Sequence, residues 1–188
     1  MPGGGVVHAP IGWIADWAEL PAGLDARGLA AALVRVGLEV EKIESAGDAL
    51  SGPIVVGRAL SVDAEPQKNG KTINWCSVDV GAGEPHGIVC GAHNFAAGDL
   101  VVVALPGAVL AGGFAISARQ TYGHVSDGMI CSARELGIGD DHAGILVLPA
   151  GAGAPGDDAL AALGLRDAVL DIAVTPDRGY CLSMRGLA

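Results

Sequence analysis

The apolar positions change period along the chain, and the changes divide it into three stretches. Trp13, Ile14 and Trp17 share one helical face. Pro10 suits the first turn of that helix, where its missing N–H would have no partner anyway. Pro21 and Gly23 interrupt the pattern. Asp25 then offers a carboxylate to the free N–H groups of a second helix. Leu29, Leu33 and Val36 recur there at helical spacing, and Gly37 stands where a left-handed residue ends a helix. From Leu38 to Ile43 apolar and polar residues alternate, the mark of a half-buried strand.

After a link at Ser45–Pro53 a strand-like pattern takes over. Strands are predicted over 54–62, 73–80, 87–90, 100–105, 114–119, 129–131 and 145–148. Between them lie a polar loop (Glu65–Lys71) and turns at Gly81–Gly83, Gly98-Asp99 and Gly112-Gly113. Ser132 is placed to cap a brief helix through Leu136. A second link, Ala150–Gly156, precedes a short helix with Leu160 and Leu163, capped by Asp157 or Asp158. Val169–Val174 is the last predicted strand, and Thr175-Pro176 ends it because proline brings no ladder N–H.

Short strands packed between two links predict a small closed barrel. Each flank alone falls near the ~40-residue lower limit for an independent core. The flanks are therefore expected to join. The predicted class is α+β, with a β-barrel over residues 48–149 inserted into a discontinuous α+β domain of 1–47 plus 150–188. Trp13 and Trp17 are the expected anchors of that joint core.

Composition narrows the functions. With 188 residues, 51% hydrophobic and 17% charged, the chain is expected to be globular. No apolar run reaches the ~20 residues that span a bilayer. The opening MPGGGVVHAP has neither a basic run nor an apolar core, so it is read as a ragged start and not a signal peptide. Cys76, Cys90, Cys131 and Cys181 include no Cys-x-x-Cys pair. Free thiols, and with them a cytoplasmic location, are expected. A net charge of −10 argues against general affinity for nucleic acid, which needs cations to displace counterions. No membrane or DNA partner is expected, and any RNA contact must use a local patch.

Between Ile54 and Pro149 five basic residues stand against nine acidic ones. The five are Arg58, Lys68, Lys71, Arg119 and Arg134, and candidate stacking side chains are Trp75, Phe95, Tyr122 and His124. The alternative is that the cations are ordinary solvated side chains and that Phe95 and Trp75 fill the core. Cys90, His93 and Cys131 raise a zinc reading, which needs four convergent ligands. Thiols on apolar strands behaving as small hydrophobes are the better account. No spacing pairs a cysteine with His93 or His124 as a nucleophile and base. Asp140-Asp141-His142 reads as a polar turn before a strand. Neither a phosphate loop nor a dinucleotide fingerprint is present. No catalytic residue and no metal ligand is assigned.

Eight ordered stretches carry a resemblance: IGWIADWAEL, LVRVGLEVEKIE, VVGRAL, CSVDVG, IVCGAHNFAAGD, VALPGAVLAGGF, SDGMICSARELGIGDDHAGILVLP and VTPDRGYCLSMRGLA. Together they resemble the first two domains of the bacterial phenylalanyl-tRNA synthetase β subunit. The resemblance implies that the barrel is a tRNA-binding OB fold and the chain an N-terminal fragment of a longer subunit. It implies auxiliary tRNA binding in support of tRNA aminoacylation, with no active site here. ATP and Mg are expected only in the parent enzyme, and no cofactor in this fragment. Implied partners are tRNA, the synthetase α subunit and the remaining β domains, in an α2β2 parent. Arg58, Lys68, Lys71, Asn94, Arg119, His124, Ser126 and Arg134 become the expected nucleic-acid-binding residues. An assembly module that packs on the α subunit and later β domains, with little RNA affinity, is the alternative. The chain departs from the family at Glu65–Thr72, where the family usually reads like His-Pro-Asn-Ala-Asp-Lys-Leu, and at Asp177 and Tyr180.

Overall fold

The computed structural model describes residues 5–81 and 83–188. Strands are numbered β1–β13 and helices α1–α4 along the chain. Two compact units result. One draws on Met1–Ala46 and Arg166–Ala188, and the other is continuous from Gly47 to Leu165.

In the first unit β1 (Gly5–Pro10), β13 (Ala168–Val174) and β2 (Glu39–Ser45) form an antiparallel sheet with β13 in the middle. Helix α2 (Ala26–Arg35) starts at Asp25, whose carboxylate accepts from the Gly28 N–H at 2.7 Å. It ends at Gly37, whose φ of +85° supplies the left-handed turn. Leu29 and Leu33 of α2 meet Leu170, Ile172 and Val174, alternate residues of β13, with Ile14, Leu38 and Cys181 completing the core. Helix α4 (Met184–Leu187) is capped by the Ser183 hydroxyl, which accepts from the Gly186 N–H.

Two expectations fail here. Residues 5–10 are not a ragged start. They pair with β13 along its free edge, from Gly5↔Val174 to Pro10↔Val169. Nothing in GVVHAP alternates, so the partner decides the strand and the local pattern does not. Trp13 and Trp17 do not anchor the core. Helix α1 (Ile11–Ala15) spans little more than one turn and buries only Ile14, so Trp17 lies past its end. The two indoles are 61% and 58% exposed, and the Arg185 guanidinium sits 5.4 Å over the Trp17 ring.

The second unit is built on a sheet ordered β11-β6-β3-β4-β5. Its members are β3 (Ile54–Pro66), β4 (Thr72–Asp79), β5 (His86–Cys90), β6 (Leu100–Ala104) and β11 (Met129–Ile130), and β12 (Val147–Leu148) also pairs with β6. A register shift between Ala59 and Ser61 bends β3, which pairs with β6 through its first five residues and with β4 from Arg58 onward. Two hairpins, β7 (Val109–Leu110) with β8 (Phe114–Ala115) and β9 (Arg119–Thr121) with β10 (His124–Ser126), complete the set. The stretch predicted as one strand, 114–119, is thus the end of one hairpin and the start of the next.

The sheet curls into a nearly closed barrel, consistent with an OB-like domain. Closure runs from β5 to the last residue of β10 and the residue after it. The Val89 N–H donates to the Ser126 hydroxyl at 3.1 Å, and the Asp127 N–H to the Gly87 carbonyl at 2.9 Å. The lumen is filled by Ala59, Cys76, Val78, Ile88, Val101 and Val103. A second apolar layer covers the outside of β3 and β6. There Ile54, Val56, Leu100 and Val102, with Leu148 of the neighbouring β12, pack with Leu110, Ile116 and Leu136. Helix α3 (Ala159–Ala162), capped by the Asp158 carboxylate, adds Leu160 to this layer. Leu160 and Leu165 therefore pack with the barrel and not with the terminal unit. Ser132 does cap, but it caps a turn and no helix. Its N–H and hydroxyl both donate to the Glu135 carboxylate, the hydroxyl at 2.6 Å.

Candidate nucleic-acid interface

The outer face of β4 and β5 lacks such a cover of aliphatic side chains. Along β4 the lumen takes Cys76 and Val78, and the alternate residues Trp75, Ser77 and Asp79 face away, partly exposed. Trp75 lies opposite Val89 in the register, and its indole lies over Gly87 of β5. A side chain at residue 87 would collide with that ring, so glycine is what lets the indole lie flat.

His124 of β10 stacks on Trp75, with centroids 4.1 Å apart and planes 13° from parallel. Its Nε2 lies 2.9 Å from Oε2 of Glu65, near the end of β3. This contact ties the β9–β10 hairpin beside the Gln67–Lys71 loop, closed by the Gln67 N–H donating to the Lys71 carbonyl at 2.7 Å. Lys68 and Lys71 are exposed on the loop, and Arg119 is exposed at the start of β9. Among the described residues none of these three cations is held in an ion pair. The stacked His124 thus lies on the hairpin that carries Arg119, tied by Glu65 to the strand end from which the lysine loop departs, and all three cations are exposed.

The other expected residues divide clearly. Arg58 is exposed, but it lies beside Gly98, whose carbonyl accepts from its Nη1 at 3.4 Å, away from the hairpin. Arg134 is exposed in the Ser132–Gly137 turn. The Asn94 amide is committed to structure, since Nδ2 donates to the Ile145 carbonyl and Oδ1 accepts from the Ile145 N–H, both at 2.9 Å. Ser126 is buried, and its hydroxyl both accepts from Val89 and donates to the Gly128 carbonyl. Phe95 fills the lumen. The interface that the geometry assembles is Trp75, His124, Lys68, Lys71 and Arg119. Sequence reasoning missed Phe114, 53% exposed, because it opens the strand predicted over 114–119 and was not weighed as a stacking side chain. The glycines at 112 and 113 just before it were the available signal of an exposed hairpin tip.

The cysteines take no part. All four are free and buried. Burial pushes the thiols of Cys76 and Cys131 up to about 12 and raises that of Cys90. These groups stay protonated, far from a thiolate nucleophile. His93 Nδ1 lies 3.2 Å from the Asn74 amide. Among the described residues no three His, Cys, Asp or Glu side chains converge as metal ligands. Asp140, Asp141 and His142 form an exposed turn in which Oδ1 of Asp141 accepts from the Ala143 N–H at 2.9 Å.

Residues 54–158, which hold every residue of this interface, match the family described as Putative tRNA binding domain. The chain belongs to that family. It is also 59% identical over 186 residues to the phenylalanine–tRNA ligase β subunit of Thermobifida fusca, a match covering 97% of this chain and 22% of the relative. The corresponding subunit of Cutibacterium acnes is 53% identical over 200 residues, covering 97% and 24%. That of Mycobacterium leprae is 49% identical over 185 residues, covering 97% and 22%. The chain spans between a fifth and a quarter of the length of these curated relatives. The tRNA-binding match covers the barrel and α1–α2 lie outside it, so the family assignment belongs to the second unit.

Proposed function

We propose that this chain is a non-catalytic tRNA-binding part of a phenylalanine–tRNA ligase β subunit. Its barrel is an OB fold inserted into a discontinuous α+β domain. The observation that carries the reading is the Trp75–His124 stack beside Lys68, Lys71 and Arg119. Stacked rings offer a base a π-face, and free cations offer its backbone charge neutralisation. The OB fold uses its second and third strands and the loop between its first two for this purpose. Here those are β4, β5 and the Gln67–Lys71 loop. Of the eight expected residues, Lys68, Lys71, Arg119 and His124 bind RNA. Arg58 and Arg134 add weak long-range attraction, and Asn94 and Ser126 support the fold. The synthetase α subunit and further β domains are the protein partners, in the cytoplasm.

The test is tRNA binding by the chain at low and rising salt. About three phosphate contacts on single-stranded RNA give a slope of log affinity against log salt near −2. Lys68→Ala, Lys71→Ala and Arg119→Ala together should flatten that slope and weaken binding by at least about ten-fold. Unchanged affinity of the triple variant at low salt would refute the reading. One observation favours assembly as an additional role of the terminal unit: the exposed indoles of Trp13 and Trp17.

A further inference from the structure

A cavity of about 270 Å³ opens on the barrel unit beside the interface, between the β7–β8 and β9–β10 hairpins. Phe114, Arg119, Thr121, Tyr122 and Met129 are among the residues that line it. Three features mark it as built for a flat, aromatic, negatively flanked ligand.

The first is its rim. Phe114 is 53% exposed and Tyr122 42% exposed, so two aromatic rings stay largely in water at one opening. The second is the backbone of Tyr122. Tyr122 and Gly123, with φ of +50° and +85°, form the two-residue turn of the β9–β10 hairpin. Both central residues of such a turn are left-handed, and asparagine or glycine fills the first position at least cost. Tyrosine at that position is disfavoured, and Tyr122 is the only non-glycine with positive φ among the described residues. Folding alone gives no reason for a phenol there. The third is charge. Arg119 lines the cavity, is exposed, and is held by no ion pair among the described residues. The floor beneath is apolar, from Met129 and Val89.

We propose that this cavity takes one unpaired nucleobase of a single-stranded RNA segment, seated against Phe114 and Tyr122 with its adjacent phosphate on Arg119. This rests on the RNA-binding reading above and adds the specific demand that the ligand present an unstacked base. A fully paired helix hides its bases and offers only backbone, which the lysine loop alone can meet. The cavity therefore selects loops and single-stranded ends of a folded RNA. Thr121 and Ser117 bring side-chain hydroxyls to the lining that can hydrogen-bond a base edge.

The experiment uses the 188-residue chain and two fluorescent RNA probes of about eight nucleotides, one with all bases and one abasic throughout. The wild-type chain should bind the base-containing probe more tightly. Tyr122→Asn and Phe114→Ala should each weaken that binding by about ten-fold, the loss of one base–aromatic stack, and leave the abasic probe unaffected. Tyr122→Asn is the decisive variant because asparagine suits the turn. It should melt at or above the wild-type temperature while losing affinity, a pair of results that a structural role for Tyr122 would not produce. Wild-type affinity in both variants, with Lys68→Ala/Lys71→Ala still weakening both probes, would overturn the pocket and leave the RNA-binding function standing. No binding of either probe or of tRNA by the wild-type chain would overturn both. Binding of aromatic, acidic peptides with equal affinity and equal sensitivity to Tyr122→Asn would overturn the nucleobase assignment in favour of a protein ligand.

Discussion

The barrel has two outer faces, and they are finished differently. Outside β3 and β6 the strands are roofed by Leu110, Ile116, Leu136 and α3, so β6 is buried on both sides. Outside β4 and β5 there is no such aliphatic roof, only a hairpin whose histidine stacks on Trp75. The same sheet thus spends one side on stability and keeps the other for contact. The few aromatic residues are not spent on the first side. Trp75, Phe114 and Tyr122 line the open side, and only Phe95 goes to the lumen.

Substitutions in the roof should bring the largest losses. Leu160 is fully buried between α3 and the outside of the barrel. Leu160→Ala removes buried methyls and leaves a cavity, for an expected loss of about 2–5 kcal/mol. Thermal or urea unfolding measures it, and RNA affinity below the lowered melting point should stay at the wild-type value. A matching fall in affinity would mean that the two faces are coupled, contrary to the division drawn here.

Gly87→Ala probes the open face by adding a single methyl. The new methyl meets the Trp75 indole, which must swing off β5 and break its stack with His124. The expected cost is about 1–3 kcal/mol, with a shift in tryptophan fluorescence and weaker RNA binding together. A stability loss with unchanged affinity would take the stack out of the interface.

The buried thiols report on the closed regions alone. Cys76 faces the lumen and Cys131 the roofed layer, both raised from 9 to about 12 by burial. A thiol whose folded value lies above its unfolded one supports the fold fully below pH 9. That support is lost as pH climbs from 9 toward 12, by about 1 kcal/mol per thiol at pH 10. Alkylation at pH 8 should therefore be silent in the folded chain and rapid after unfolding, while acrylamide quenches tryptophan at once. Prompt alkylation of Cys131 in the native state would show the roof to be open.

The roofed face was more legible in the sequence than the open one. The apolar run at 100–105 reads as a strand and proves buried from Leu100 to Ala104, Asp25 and Gly37 begin and end their helix as expected, and of Asp157 and Asp158 it is Asp158 that caps α3. The first strand and the tryptophans Trp13 and Trp17 were misread for one reason. A six-residue edge strand and a five-residue helix are too short for period to report which face is covered. In the site, basic residues could be named but not sorted. Asn94 and Ser126 are polar residues that look available for binding in the sequence, yet their hydrogen bonds to Ile145 and Val89 emerge only when distant segments meet. The pairing of Trp75 with His124 joins residues 49 positions apart through a hairpin that the pattern did not disclose.

The smallest effect expected comes from Glu65, and it separates two roles for His124. The carboxylate holds the imidazole Nε2 on the open face, but it also sets a negative charge three residues from Lys68, where RNA phosphates would approach. Both side chains are partly exposed, so the Glu65–His124 contact contributes at most about 1 kcal/mol. Glu65→Gln keeps a hydrogen-bond acceptor of the same shape and removes the charge. If the stack is held by packing on Gly87 and Trp75, melting should move little and RNA affinity should rise by about two-fold at low salt, with the gain fading as salt screens it. If the carboxylate instead fixes the imidazole, affinity should fall and the tryptophan emission should shift as it does in Gly87→Ala. The direction of one small change then tells whether charge or ring placement limits binding on the open face.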